Sequence, residues 1–411
     1  MTNDIRSGEA ECNHHVQLSG QFNKLVELAS NLIEKIPGFL LRPWIIGFFL
    51  SVLAISYMSA LYKNFDQTLP SWYIKAFEWQ VAHPLQAIPI SSFISISDFD
   101  GRAEHLEKQT YRIALPLFAK LIGVSSFGGL VIIQRVTSFL FLMMTFMLLK
   151  RFFRDVPAAL FGALAIACSS VGGWGFQSVE FFDGVAYFLL LSCVFTKNPF
   201  LITFILMLAG FVDERAIAAS PLIYFCWMKK NYYTITLHDF LSLNPQRIGI
   251  LAGILLFIVA RYCLSLWMGC PLVLRAGLFV DASKALEHFK MLPFASLFFL
   301  KGSCIAILVG FALLYIRSGL LLIFTLLISM IPLIAGVCMV ADFERSFGYV
   351  FPLIFFSYKL IGESLPQSVL RGITFASAVF SLLIPNVSFL FEVHAVIPIY
   401  SLIHWNLEGG I

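Results

Sequence analysis

Four acidic clusters punctuate a chain that is otherwise apolar: Asp98-Phe99-Asp100, Glu180-Phe181-Phe182-Asp183, Asp213-Glu214-Arg215 and Asp342-Phe343-Glu344-Arg345. Carboxylates in such surroundings can take a proton from a hydroxyl, hold a divalent cation, or balance a buried guanidinium. On an extended segment Asp98 and Asp100 point the same way, so both can ligate one metal ion, Mg or Mn, or one sugar hydroxyl. A solvated loop turning at Gly101 is the plain alternative for so short a motif. Glu180 and Asp183 share one face of a helix that begins near Gln177, where they serve either a ligand or the helix dipole.

Asp213, Glu214 and Arg215 put more charge in an apolar hairpin than a turn needs, and they read as substrate contacts. Arg215 suits a phosphate, because its planar fork can grip two oxygens. Asp342, Glu344 and Arg345 close an apolar segment that begins near Gly319, with surface capping as the alternative. Arg135 and Arg261 lie inside apolar runs, where each either pairs with a buried carboxylate or meets a lipid phosphate. The histidines show no ligand spacing, and no disulfide framework or zinc motif is legible among the eight cysteines. Gly172-Gly173-Trp174-Gly175 follows a helical run and not a strand, so it is no phosphate loop.

The elements that must carry these groups are membrane spans. With 59% hydrophobic residues, 13% charged residues and 43 Phe, the chain cannot present an ordinary globular surface. The expected fold is all-α, a polytopic transmembrane bundle of about 10–12 spans with a long first outer loop bearing interfacial helices. Spans are expected at 44–62, 128–149, 156–175, 184–196, 199–212, 216–228, 248–268, 292–316, 319–341, 347–361 and 372–391. The segment Val393 to Trp405 reads as a short terminal helix or half-span, and Pro199 to Met228 as either two half-helices or one long tilted one.

Residues 1–43 form a tail in which Leu25, Val26, Ala29, Leu32, Ile33 and Ile36 recur at helical spacing, the pattern of an interfacial helix. Residues 44–411 form one transmembrane domain. Within its outer loop, 63–127, Ser71 to His83 reads as a helix, a second helix starts near Glu104, and Tyr111 to Leu117 reads as an amphipathic re-entry.

Arg42, Lys150, Arg151, Arg154, Lys197, Lys229, Lys230, Arg247, Arg317, Lys359 and Arg371 fall on one side if the spans alternate, which makes that side cytoplasmic. The acidic clusters then share the opposite face, as one wet, carboxylate-lined site. A net charge of +4, dispersed through short connections, supports no nucleic-acid partner.

The long first loop with Asp98-Phe99-Asp100, the Tyr111-Arg112-Ile113-Ala114-Leu115-Pro116 re-entry, the Asp213-Glu214-Arg215-Ala216 break and the stretch Ala341 to Pro352 resemble the bacterial, polyprenyl-phosphate-dependent members of the GT-C class of membrane glycosyltransferases. The resemblance covers most of the chain as architecture and some twenty residues as motif. It implies a multi-pass enzyme of the cell envelope, in a bacterial inner membrane with its amino terminus cytoplasmic. The donor would be a lipid-linked sugar and the acceptor a lipid-linked molecule or glycan.

By the same resemblance Asp100 is the catalytic base, with Asp98 its partner or metal ligand, while Arg215, Arg345 and Arg135 are the cations for a departing phosphate. The chain departs from the pattern in having no large soluble domain after its spans. Two rival functions fit the same charges: a transporter or flippase of an anionic or lipid-linked solute, and a non-catalytic membrane assembly subunit.

Overall fold

The apolar runs become helices in the computed structural model, which describes residues 20–62, 71–93, 102–176, 182–227, 242–270, 282–338, 343–384, 386–388 and 394–396. Helix α1 covers 20–34, followed by α2 (Pro43–Tyr62), α3 (Ser71–Ala82), α4 (Arg102–Thr110) and α5 (Ala114–Leu121). The middle of the chain forms α6 (Phe127–Phe153), α7 (Val156–Ala167), α8 (Ser170–Trp174), α9 (Asp183–Phe195), α10 (Pro199–Val212) and α11 (Arg215–Cys226). The last third forms α12 (Pro245–Met268), α13 (Ala282–Leu300), α14 (Ser303–Ser318), α15 (Leu320–Cys338), α16 (Phe343–Gly348), α17 (Phe351–Ser364) and α18 (Gln367–Leu383).

Among the described residues α6, α12 and α15 are long and apolar enough to cross a bilayer, and α13 with α14 makes a fourth crossing if that bent pair is one span. Helices α7, α9, α10, α11 and α18 are apolar but shorter, at 12 to 17 residues, so the described residues show fewer full-length crossings than the 10–12 expected. The reason is visible in the chain: the polar punctuation that attracts notice as chemistry also ends helices. The expected span 292–316 is broken at Lys301-Gly302, where α13 and α14 meet with a bend of 115°. The Gly302 amide leaves the ladder to donate to Ser381 Oγ at 3.1 Å.

Likewise 156–175 divides into α7 and α8 at Ser169, whose hydroxyl turns back to the Ile166 carbonyl. Helix α18 stops at Leu383, short of the expected 391, and Asn386–Ser388 pairs antiparallel with His394–Val396. That strand replaces the start of the helix expected at Val393 to Trp405, and the rest of that segment lies outside the described residues. Pro199 to Met228 is two helices broken at the acidic triplet, not one long helix.

Helix α6 is the spine, flanked by α2, α7, α9 and α17. Helix α10 lies between α9 and α12, and its contact with α12 is made by small residues: a Cβ on Gly249 would stand 2.6 Å from the Pro199 carbonyl oxygen, and one on Gly253 would stand 3.0 Å from that of Thr203. The close approach lets Thr203 Oγ1 donate across to the Gly249 carbonyl at 3.0 Å.

The two ends of the bundle differ. At one end Arg371 of α18 reaches Asp155 at 2.8 Å and Glu34 of α1 at 2.6 Å. Asp155 also caps α7, accepting from the Ala158 amide at 2.9 Å. Helix α1 buries Val26, Ser30 and Ile33 against the bundle and leaves Leu25, Leu28 and Leu32 exposed on another face. At the opposite end α3 docks onto the start of α6: the Phe127 amide donates to Glu78 at 3.1 Å, and Phe77, Phe127 and Phe182 form an aromatic cluster.

Candidate functional site

At that second end, segments remote in sequence meet in one buried cluster of charge. Helix α10 ends at Asp213, whose extended backbone lets its own Oδ1 accept from the Arg215 amide at 3.0 Å and so start α11. The turn fixes both side chains, and Arg215 Nε reaches back to Asp213 Oδ1 at 2.8 Å. Asp183 opens α9 and is 1% exposed, which requires partners for its charge. Those partners are Arg345 Nε at 2.8 Å from Oδ2, and Arg215 Nη2 and the Tyr349 hydroxyl at 3.4 and 2.8 Å from Oδ1. The Arg345 contact is an ion pair whose N–H is not aligned as a hydrogen bond.

Asp213 Oδ2 is the hub. It faces Arg215, Arg345 at 3.4 Å and Arg112 at 3.3 Å. Arg215 also donates to Ser346 Oγ at 2.8 Å and lies over the Tyr349 ring. Asp183, Asp213, Arg215 and Arg345 thus form an inner layer whose formal charges cancel.

Arg112 brings the first loop into contact with this layer. It sits between α4 and α5 and grips Glu214 with Nε and Nη2, at 3.3 and 3.1 Å. Its position is set by α4, because Gln80 of α3 and Gln109 exchange amide hydrogen bonds at 2.7 and 3.2 Å. Burial works against the Arg112 charge, but Asp213 and Glu214 together outweigh it and raise its pKa.

Lys108 lies one turn before Arg112, where burial pushes its ammonium down to about 8, with Arg112 opposing its charge and Glu214 supporting it. Arg261 of α12 stacks over Tyr111 at 4.7 Å and adds its positive field at Glu214. Glu214, with a side chain 34% exposed, therefore faces three cations, so the outer layer carries excess positive charge among the described residues.

The inner layer lies below the end of the bundle. Gly184, next to Asp183, packs against Ser138 and Gln134 of α6, and a Cβ there would be 3.3 Å from the Gln134 carbonyl. Seven to eleven residues at 1.5 Å rise put that level about 10–16 Å in from Phe127, the first residue of α6.

Of the residues singled out in the sequence, Asp183, Asp213, Glu214, Arg215 and Arg345 come together, with Arg261 at the edge. Arg135 does not: Gln134 is buried and the next position turns outward by the helical step, leaving Arg135 exposed on α6. Asp183 is the first residue of α9, and the helix start expected near Gln177 lies outside the described residues. Asp98, Asp100, Glu180 and Asp342 lie outside the described residues, as does the Glu344 side chain. Among the described residues no group of three or more His, Cys, Asp or Glu side chains is arranged to hold a metal ion.

Arg112, Lys108, Ser346 and Tyr349 were not singled out from the sequence as site residues. The available signal was the need for cations opposite three carboxylates, with Arg112 standing in the re-entry motif. No known family model, curated protein or solved structure matches the chain.

Proposed function

We propose that the chain is an integral-membrane glycosyltransferase that moves a sugar from a polyprenyl-phosphate donor to a lipid-linked or glycan acceptor at the non-cytoplasmic face. The observation that carries this reading is the outer layer of the cluster, where, among the described residues, Arg112, Lys108 and Arg261 face the carboxylate of Glu214 at the edge of an apolar helical body. Such a surplus of cations in low dielectric suits a phosphate, and the apolar surface beside it suits the lipid that bears one.

In this reading the basic end, with Arg371 and α1, faces the cytoplasm, and Leu25, Leu28 and Leu32 rest in the membrane interface. The first loop supplies the acceptor side. Asp100 directly precedes Gly101 and α4, so the helix that delivers Arg112 also tethers the candidate base. A bond forms between the acceptor oxygen and the anomeric carbon while the bond from that carbon to the phosphate oxygen breaks. The hydroxyl proton passes to Asp100, and Arg112, with Lys108 and Arg261, steadies the charge left on the lipid phosphate, while Arg215 and Arg345 of the inner layer hold the site beneath it. A divalent cation held by Asp98 and Asp100 would add to that stabilisation.

The test is transfer from a radiolabelled polyprenyl-phosphate sugar by purified protein in lipid. Asp100→Asn should abolish transfer while accumulation and insertion stay normal, and Arg112→Gln should slow it severely. Transfer retained by Asp100→Asn would remove Asp100 as the base. Translocation of a lipid-linked sugar with no covalent change would favour the flippase reading, to which the 115° break between α13 and α14 lends itself.

A further inference from the structure

The outer layer already contains an anion in the position where a ligand's anion would bind. Glu214 is the accessible carboxylate of the cluster, at 34% exposure against 1% for Asp183 and 3% for Asp213. Arg112 holds it with two nitrogens of one edge of the guanidinium, the fork that grips phosphate as readily as carboxylate. Lys108 and Arg261 bear on the same carboxylate. Arg261 Nη1 is buried and makes no hydrogen bond among the described residues, so one donor at this edge is left for a further acceptor.

The two acids of the break are not equivalent. Asp213 is held by three arginines and by the amide that starts α11. Glu214 precedes the same helix yet makes no capping bond to it, and its hydrogen-bonding partner is Arg112. Its longer side chain can swing aside without undoing α11.

Resting on the phosphate reading of this site, we propose that Glu214 is a built-in counter-ion that fills the phosphate subsite in the empty protein and is displaced from Arg112 when a phosphate-bearing ligand binds. Exchange of one anion for another keeps the Nε–Nη2 edge of Arg112 occupied throughout, while Asp213 at 3.3 Å continues to hold the guanidinium in place. It also makes Glu214 a competitor, so the apparent affinity is lowered by the fraction of molecules in which the carboxylate is in place. A Glu214 that were a ligand contact would act in the opposite direction.

The experiment is calorimetric titration of the full chain in detergent with two probes, inorganic phosphate and a short-chain isoprenyl monophosphate. Glu214→Gln should bind the isoprenyl phosphate about tenfold more tightly than the parent, and Glu214→Asp, which withdraws the carboxylate by one methylene, should fall between them. Arg112→Gln should weaken binding by at least the same factor. If the parent binds and Arg112→Gln loses the probe, but Glu214→Gln binds equally or less well, the counter-ion role is wrong and the phosphate reading stands. If neither the parent nor Glu214→Gln binds either probe, both readings fall. Preference for the isoprenyl over the inorganic probe assigns the phosphate to a lipid; equal binding assigns it to a free anion, with the counter-ion role intact.

Discussion

Removing both partners of an inner-layer ion pair should cost clearly less than the two single removals added together. Arg345, 3% exposed at its side chain, stands 2.8 Å from Asp183 Oδ2 and 3.4 Å from Asp213 Oδ2. At 2.8 Å and an effective dielectric of 20 the Coulomb attraction to Asp183 alone is about 6 kcal/mol, most of which offsets the desolvation of both groups. Arg345→Gln leaves Asp183 with Arg215 at 3.4 Å and Tyr349 at 2.8 Å, and gives the layer a surplus negative charge. The expected loss of stability is about 3–5 kcal/mol, a large share of what a folded protein has. Asp183→Asn leaves the converse surplus and should cost a similar amount. The double variant restores neutrality, so its loss should fall short of the sum of the two single losses by about 2 kcal/mol or more. Thermal unfolding in detergent, followed by intrinsic tryptophan fluorescence, measures all three, with urea titration as a check on the free energies. Losses that add to within about 0.5 kcal/mol would refute the reasoning, because they would mean that the pair does not act as a unit.

Three other perturbations address separate parts of the molecule. Gly249→Val should destabilise the α10–α12 contact by about 1–3 kcal/mol, since its side chain would enter the 2.6 Å space before the Pro199 carbonyl; a melting temperature equal to the parent's would contradict that packing. Arg371→Gln removes a partner of both Asp155 and Glu34 and should loosen α1, seen as faster proteolysis within 20–34 under native conditions, while unchanged cleavage would mean that Val26 and Ile33 hold the helix unaided. Phosphate affinity should be full below pH 8 and decline as pH rises through the Lys108 pKa of about 8, because the ammonium is lost; Lys108→Met should flatten that decline, and a decline left unaltered would place the titration elsewhere.

Local pattern makes much of this fold readable from the sequence, and for identifiable reasons. Apolar runs such as 44–62 and Ser71 to His83 appear as helices within a residue or two, because helical periodicity and flanking punctuation are local properties. Lys301-Gly302 was not legible as a break, because what stabilises it is tertiary: Ser381 of α18 receives the Gly302 amide and the Ile384 carbonyl receives the Lys301 ammonium. The acidic half of the site was visible as charge out of place in an apolar chain. Its basic half was less so, because Arg112 lies in a loop where an arginine excites no notice and 102 residues separate it from Glu214. Arg135 shows the same limit in reverse: a charge inside an apolar run carries no information about which way the helix turns it.

The pairing pattern also bears on how the site works. A layer in which three guanidiniums converge on one carboxylate oxygen cannot offer Asp213 as a free base, since protonating it would strand the arginines that hold it. The same holds for Asp183, which is closed off by Arg215, Arg345 and Tyr349. On the transferase reading, the acceptor proton is therefore taken by a carboxylate outside the inner layer. The proposed function gives that role to Asp100 of the first loop. On the same reading the inner layer acts as an anvil: it fixes Arg112 and Arg215 in position so that a phosphate arriving at the outer edge meets cations already oriented to receive it. Neutralising both members of the Asp183–Arg345 pair should accordingly cost less stability than the two single changes added together, yet on the transferase reading still slow transfer, because stability depends on the balance of that layer and the proposed catalysis on the orientation it imposes.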